Sequence, residues 1–180
     1  MSTVITLTPS VDPDRDHVRG DRGARVTLVE YADFQCPYCR EAYPVARELG
    51  ERFGSDLRFV FRHMPLVDLH PAAQRAAEAS EAAAAQGRFW EMHDRLFEGT
   101  AALSTRDLTG HAEALGLDLD AFERDIAEGV HRERVLEDYE SGASSGVPST
   151  PRFYVDGIVH QGGATMPELE WAIGSLLREP

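Results

Sequence analysis

Cys36 and Cys39 are the two cysteines of the chain, separated only by Pro37 and Tyr38 in the run FQCPYCR (34–40). Three chemistries compete for a single close pair of thiols. Two buried structural thiols are the plainest, because free cysteine is a common core residue. A proline between the members and a place at a strand-to-helix junction are unusual for that role. Half of a zinc site is the second. Tetrahedral zinc takes four ligands, usually from another cysteine pair or two histidines at short spacing. Here there is no second pair, His63 and His70 stand seven apart, and His93, His111, His131 and His160 are scattered, so no metal is expected. The third is a redox-active dithiol, the reading that C-x-x-C beside a strand–helix–strand pattern favours.

The dithiol reading also accounts for the neighbours. Disulfide exchange needs a thiolate near neutral pH. A cysteine at the start of a helix faces unsatisfied backbone N–H groups and the positive end of the helix dipole. In such motifs the thiol pKa falls to roughly 3.5–7.5. Cys36 holds that position. Cys39, one turn on and more buried, is placed to attack a mixed disulfide on Cys36 and release its substrate. Pro37 suits the first helical position, where no N–H is needed. Tyr38, between the sulfurs, tunes the thiolate. No metal or organic cofactor is required. The implied partners are protein or peptide thiols and disulfides, and a redox partner that supplies or removes electrons.

The elements around the pair follow from patterning. VTLVEY (26–31) is a short apolar, β-branched run that suits a strand buried on both faces. After the cysteines, Ala42, Val45, Ala46, Leu49 and Phe53 recur at helical spacing and Gly54 closes the pattern. Pro44 interrupts that run, which reads as a kink. LRFVFRHM (57–64) is the next strand, so the unit is a parallel crossover. Ahead of it, residues 3–7 suggest a short strand and residues 10–24 a polar loop rich in turn residues. From 70 to about 143 the sequence is helical, including an Ala-rich stretch, an aromatic face of Phe89, Trp90, His93, Leu96 and Phe97, and a helix opened by Ser104 with Asp107 at its third position. RFYV and IVHQ then form a hairpin turning at Asp156-Gly157. A last helix buries Leu169, Ala172, Ile173, Leu176 and Leu177. The class is α/β, a βαβ…ββα order with an inserted helical domain: residues 1–65 and 145–180 form one domain, with 1–25 irregular, and 66–144 the insertion.

Composition removes whole classes of function. The formal net charge of -13 makes phosphate backbones and anionic lipid poor partners, so neither nucleic acid nor membrane insertion is expected. No stretch is apolar enough to span a bilayer. The first twenty residues lack a basic segment followed by an apolar one, which places the chain in the cytoplasm, or in an extracytoplasmic compartment if a leader has been removed.

FQCPYC after VTLVEY, with GVPSTPRFYVDG far downstream, resembles the thioredoxin superfamily. The long helical block between LRFVFRHM and GVPSTP makes it most similar to the DsbA-like thiol-disulfide oxidoreductases, over roughly residues 26–178. The resemblance implies Cys36 as surface nucleophile and Cys39 as resolving thiol. It implies a cis-proline against the dithiol. Pro148 and Pro151 compete, and the family's Thr-Pro before an aromatic strand selects Pro151, with the backbone of Thr150 turned toward an extended substrate segment. It also implies a buried acid beneath the second cysteine, at Glu30, able to take and return the proton of Cys39. The bland alternatives are a helix-ending proline pair and a half-exposed strand glutamate. Arg152 departs from the family's small or apolar residue and brings a cation near the site. His63 stands where the second strand ends, either approaching the site rim or satisfied within its loop. The function expected is dithiol–disulfide exchange through a mixed disulfide at Cys36, direction open. The alternative is a non-catalytic redox-sensing or partner-binding module, since domains of this branch occur fused to membrane transporters. An isomerase of the glutathione-transferase kappa type shares the architecture but typically lacks the full cysteine pair.

Overall fold

The structure, a computed structural model, describes residues 5–99 and 103–178. Its centre is β2 (Val26–Ala32), buried at every position, as its unbroken apolar run requires. β3 (Leu57–His63) lies parallel to it, in register from Val26–Leu57 to Ala32–His63. Between them runs α1 (Pro37–Phe53), which continues through Pro44 and closes at Gly54 with a positive φ of 51°. On the other side of β2 lies β4 (Arg152–Val155), antiparallel, followed by β5 (Ile158–Val159). Asp156 and Gly157 both take positive φ, the geometry of the tight hairpin turn that the Asp-Gly pair predicts. α7 (Met166–Arg178) completes the order, burying Leu169 and Ile173, with the other expected apolar positions half-buried.

The segment read as a polar loop over 10–24 contains a strand. β1 (His17–Gly20) pairs antiparallel with β3, giving the sheet order β1-β3-β2-β4-β5. Hydropathy could not show it, because HVRG is polar. Its side chains are held by acids from the helical segment: Arg19 by Asp94 at 2.8 Å and His17 by Glu81 at 2.7 Å. Of the strand expected over 3–7, the described part makes only a bridge from Thr6 to Ile158; residues 3 and 4 lie outside the described residues.

Between β3 and β4 come α2 (Ala73–Ala84), α3 (Phe89–Glu98), α4 (Thr105–Ala114), α5 (Leu119–Glu128) and α6 (Arg132–Ser144). The Ala-rich α2 buries six alanines, which lets its neighbours approach closely, and Ser104 and Asp107 form the predicted reciprocal cap on α4. Alternation along the strands sorts the core onto two faces. Leu28, Phe59 and Phe61 face α1 and the inserted helices in one continuous cluster. Val29, Tyr31, Val60 and Tyr154 form a smaller cluster on the other face.

Candidate active site

β2 ends at Ala32, and three residues carry the chain to Cys36, the N-cap of α1. Asp33 shapes that turn. Its Oδ1 accepts from the N–H of Gln35 at 2.7 Å, and its Oδ2 accepts from the N–H of Leu66 at 2.9 Å and pairs with His70 Nδ1 at 2.8 Å. Gln35 in turn accepts from the N–H of Ala72 at 2.8 Å. The link between β3 and α2 is thereby tied to the loop that presents the dithiol. Pro37 opens the helix without a wasted N–H, and Tyr38 points outward with 67% of its surface exposed.

Both thiols are free, and both are enclosed: Cys36 keeps 3% of its surface and Cys39 none. This corrects the expectation of a surface nucleophile. The cover over Cys36 is the segment at Thr150, whose carbonyl oxygen accepts from Cys36 Sγ at 3.5 Å. The Thr150–Pro151 peptide is cis, as is Thr8–Pro9; the Val147–Pro148 peptide is not. The N–H of Asp33 reaches Cys39 Sγ at 3.5 Å.

The electrostatics separate the two sulfurs. Cys36 is lowered to about 5, first by the Cys39 thiol beside it. Burial opposes this, and the Thr150 side chain and the N–H groups of Cys39 and Tyr38 reinforce it. Burial raises Cys39 far above the ordinary thiol range, and the thiol of Cys36 and charge on Glu30 add to that.

Glu30 sits on the α1 side of β2, directly between Phe61 of β3 and Phe153 of β4. Two aromatic neighbours flank its carboxyl, which is buried. Burial, and then the charge on Cys36, push it up to about 8, and its Oε1 has no hydrogen-bond partner. A cavity of about 240 Å³ lies behind α1, lined by Glu30, Tyr43, Ala46, Phe59 and His93 among others. His93 is also buried, bonds Asp94 through Nδ1 at 2.9 Å and leaves Nε2 unpartnered. The sequence placed His93 on an apolar face but gave no sign that it would share a cavity with Glu30.

Other expected positions fall elsewhere. His63 is buried at the end of β3 and bonds Glu81, so it does not reach the site rim. Arg152 stands opposite Tyr31 in the sheet, its Nε buried without a partner. Asp33 was missed, although an acid two residues before Gln35 is a signal for a side-chain-closed turn.

A family model described as thioredoxin matches residues 12–174, nearly the whole fold including the inserted helices. The chain belongs to the thioredoxin family. Its fold superposes on that of BdbD from Bacillus subtilis (oxidised) with a TM-score of 0.86 at 23% identity, covering 98% of this chain and 100% of that one. A thioredoxin-like oxidoreductase from Silicibacter pomeroyi gives 0.82 at 26% identity, covering 94% and 95%. The fold, inserted helices included, is shared with these solved structures over nearly the whole chain. In sequence, the chain is 50% identical over 172 residues to a protein named Na(+)/H(+) antiporter NhaA 1 from Salinispora arenicola, a match covering 96% of this chain and 26% of that protein. The chain spans about a quarter of the length of the curated relatives it matches. Among the described residues, no helix is long and apolar enough to cross a membrane.

Proposed function

We propose that this chain is a dithiol–disulfide oxidoreductase acting on protein or peptide substrates through a mixed disulfide at Cys36. The observation that carries the reading is a pair of adjacent sulfurs at the start of α1, the Cys36 thiol lowered to about 5 and so ionised at neutral pH, the Cys39 thiol raised by burial and so kept protonated. In the reducing direction, Cys36 thiolate attacks a substrate disulfide, forming one S–S bond and expelling one substrate thiolate. The mixed disulfide removes the Cys36 charge that helps raise Glu30, and the Glu30 carboxylate then takes the proton of Cys39, which attacks Cys36 Sγ. The Cys36–Cys39 disulfide forms and the second substrate thiolate leaves. Two electrons have passed to the substrate, and a dithiol reductant restores the pair. Oxidation of a substrate dithiol is the same path reversed, with an oxidase as partner.

Support for a polypeptide substrate comes from the surface beside the dithiol. Tyr38 is exposed there, and a groove lined by Leu66, Val67, Leu69, Leu136 and Tyr139 runs to Pro148 and Ser149, just before the cis-proline. Exposed apolar residues gathered in one groove mark a binding surface. Thr150 and Pro151 enclose Cys36 and would line the bound segment. The solved neighbour from Silicibacter pomeroyi titled a thioredoxin-like oxidoreductase agrees with the reading.

A second reading rests on the relatives named as antiporters: the dithiol is a redox-sensing module of a longer transporter, docking a partner through the same groove. Insulin reduction by dithiothreitol separates the two. The enzyme reading expects acceleration that disappears in Cys36→Ser, while Cys39→Ser accumulates a mixed disulfide. A protein that oxidises and reduces freely but does not accelerate insulin reduction is a sensor.

A further inference from the structure

A second cluster of reactive side chains lies where the sheet edge meets the inserted helices. Nε2 of His17 on β1 and Nε2 of His63 on β3 both contact Oε1 of Glu81 on α2, at 2.7 and 2.8 Å. The three ligand-capable atoms lie within 4.8 Å of one another. His63 and Glu81 are buried, and His17 keeps 16% side-chain exposure along a surface cleft with Phe89 and Trp90.

The charge around this cluster is unusual for the region. Asp16 pairs with Arg62, Asp138 with Arg15 and Arg134, and Asp94 with Arg19. Among the described residues, the only ion-pair partners of Glu81 are the two imidazoles. A buried carboxylate needs charged or hydrogen-bonding partners, and among the described residues imidazoles are its only side-chain ones. His63 adds a second observation: its Nδ1 has no hydrogen-bond partner. Its proton can therefore move from Nε2 to the free Nδ1 at the expense of the single bond to Glu81, leaving the Nε2 lone pair available to a metal ion.

We propose that His17, His63 and Glu81 bind one divalent transition-metal ion, with Zn2+ as the ion of choice and the remaining position open on the His17 side. Two imidazoles and one carboxylate are a borderline donor set, suited to Zn2+ or Co2+ and unsuited to Ca2+ or Mg2+, which prefer oxygen ligands. Bonds of roughly 2.0–2.2 Å place tetrahedral ligand atoms about 3.3 Å apart. Each histidine–carboxylate pair, at 2.7 and 2.8 Å, reaches that by opening about half an ångström. Because the ligands come from β1, β3 and α2, the ion ties the edge strand to the inserted helices. It uses none of the residues assigned to disulfide exchange.

The test uses metal-free protein with the Cys36–Cys39 disulfide formed, so that neither sulfur can ligate. Zn2+ is titrated by calorimetry, and Co2+ by visible absorption, which reports tetrahedral coordination. One equivalent is expected to bind with micromolar or tighter affinity, to release protons and to raise the melting temperature. Glu81→Gln and His17→Gln are expected to weaken binding about tenfold or more, with His160→Gln, a change at a half-exposed histidine on another part of the surface, leaving it intact. His17 is the more exposed ligand, and glutamine keeps a donor for Glu81, so this variant folds even if Glu81→Gln does not; far-ultraviolet circular dichroism verifies it. Absence of saturable Zn2+ binding overturns the proposal. So does one-equivalent binding that survives His17→Gln.

Discussion

Cys36 Sγ donates to the carbonyl oxygen of Thr150 across 3.5 Å, while the Thr150 hydroxyl, buried beside it, has no partner. When Cys36 loses its proton that donation ends, and the hydroxyl becomes the group able to donate to the thiolate. Thr150→Val removes the hydroxyl and keeps the shape. A hydrogen bond to a charged group contributes about 1.5–3 kcal/mol. The Cys36 titration, now at about 5, is therefore expected to move up toward neutrality in the variant. Thiolate absorbance against pH measures this, with iodoacetamide modifying Cys36 and sparing Cys39. An unchanged titration would remove Thr150 from thiolate stabilisation.

Glu30 makes stability depend on pH in a direction that can be worked out. Burial raises it from 4.5 to about 8, so the folded chain keeps a proton that the unfolded chain releases. Its contribution is full below about pH 4.5 and is lost as pH rises through about 8, at up to about 1.4 kcal/mol per pH unit. Cys36 runs the other way. Lowered from 9.0 to about 5, it stabilises the reduced fold above pH 9 and loses that effect as pH falls through 5. The two slopes oppose in reduced protein, and only that of Glu30 remains once the disulfide forms. Urea midpoints of oxidised protein should fall between about pH 6.5 and pH 8, above the range in which His93, lowered to about 4 by burial, offsets Glu30, and Glu30→Gln should flatten the fall. An equally steep decline in the variant assigns the proton to another group.

The strand–helix–strand core was legible because its signals are local: VTLVEY is apolar throughout, the α1 face repeats at helical spacing, and Asp-Gly fixes its turn. Cys36 and Cys39 were legible for the same reason. What stayed hidden depends on pairing between distant residues. β1 is polar in sequence and becomes a strand only because β3 offers an edge and acids on α2 and α3 hold its side chains. Pattern suggested that Glu30 was buried; its isolation comes from Phe61 and Phe153, placed opposite it by register alone. The enclosure of Cys36 depends on a loop more than a hundred residues away, which no spacing rule reaches.

Asp33 joins the dithiol loop to the link before α2 through two backbone N–H groups and His70. Asp33→Ala leaves those part-buried donors unpaired, at up to about 1–3 kcal/mol each. The variant is expected to lose several kcal/mol of stability. Hydrogen exchange at the amides of Gln35 and Leu66 should accelerate before the rest of the sheet opens. Exchange that accelerates evenly across the sheet would mean that Asp33 supports the whole fold and not this loop.

Arg62 lies wholly buried on the face of the sheet away from α1. Its guanidinium meets Asp16 at 3.0 and 2.9 Å, Tyr31 Oη at 2.9 Å, and the carbonyls of Pro9 and Ser10 at 3.0 and 3.2 Å. Every N–H of the fork is occupied, and the segment before β1 is held down by a side chain from β3. Removing one member of such a pair strands the other charge, which costs about 3–5 kcal/mol. Asp16→Ala is therefore expected to lower the denaturant midpoint sharply. Arg62→Met, which removes the charge that needs an anion, leaves Asp16 with only Arg15 and the N–H of Asp12. The double variant Asp16→Ala, Arg62→Met leaves neither charge stranded and should recover part of the loss, as a double-mutant cycle in urea would show. Additive losses would mean that the two residues stabilise the fold through separate contacts.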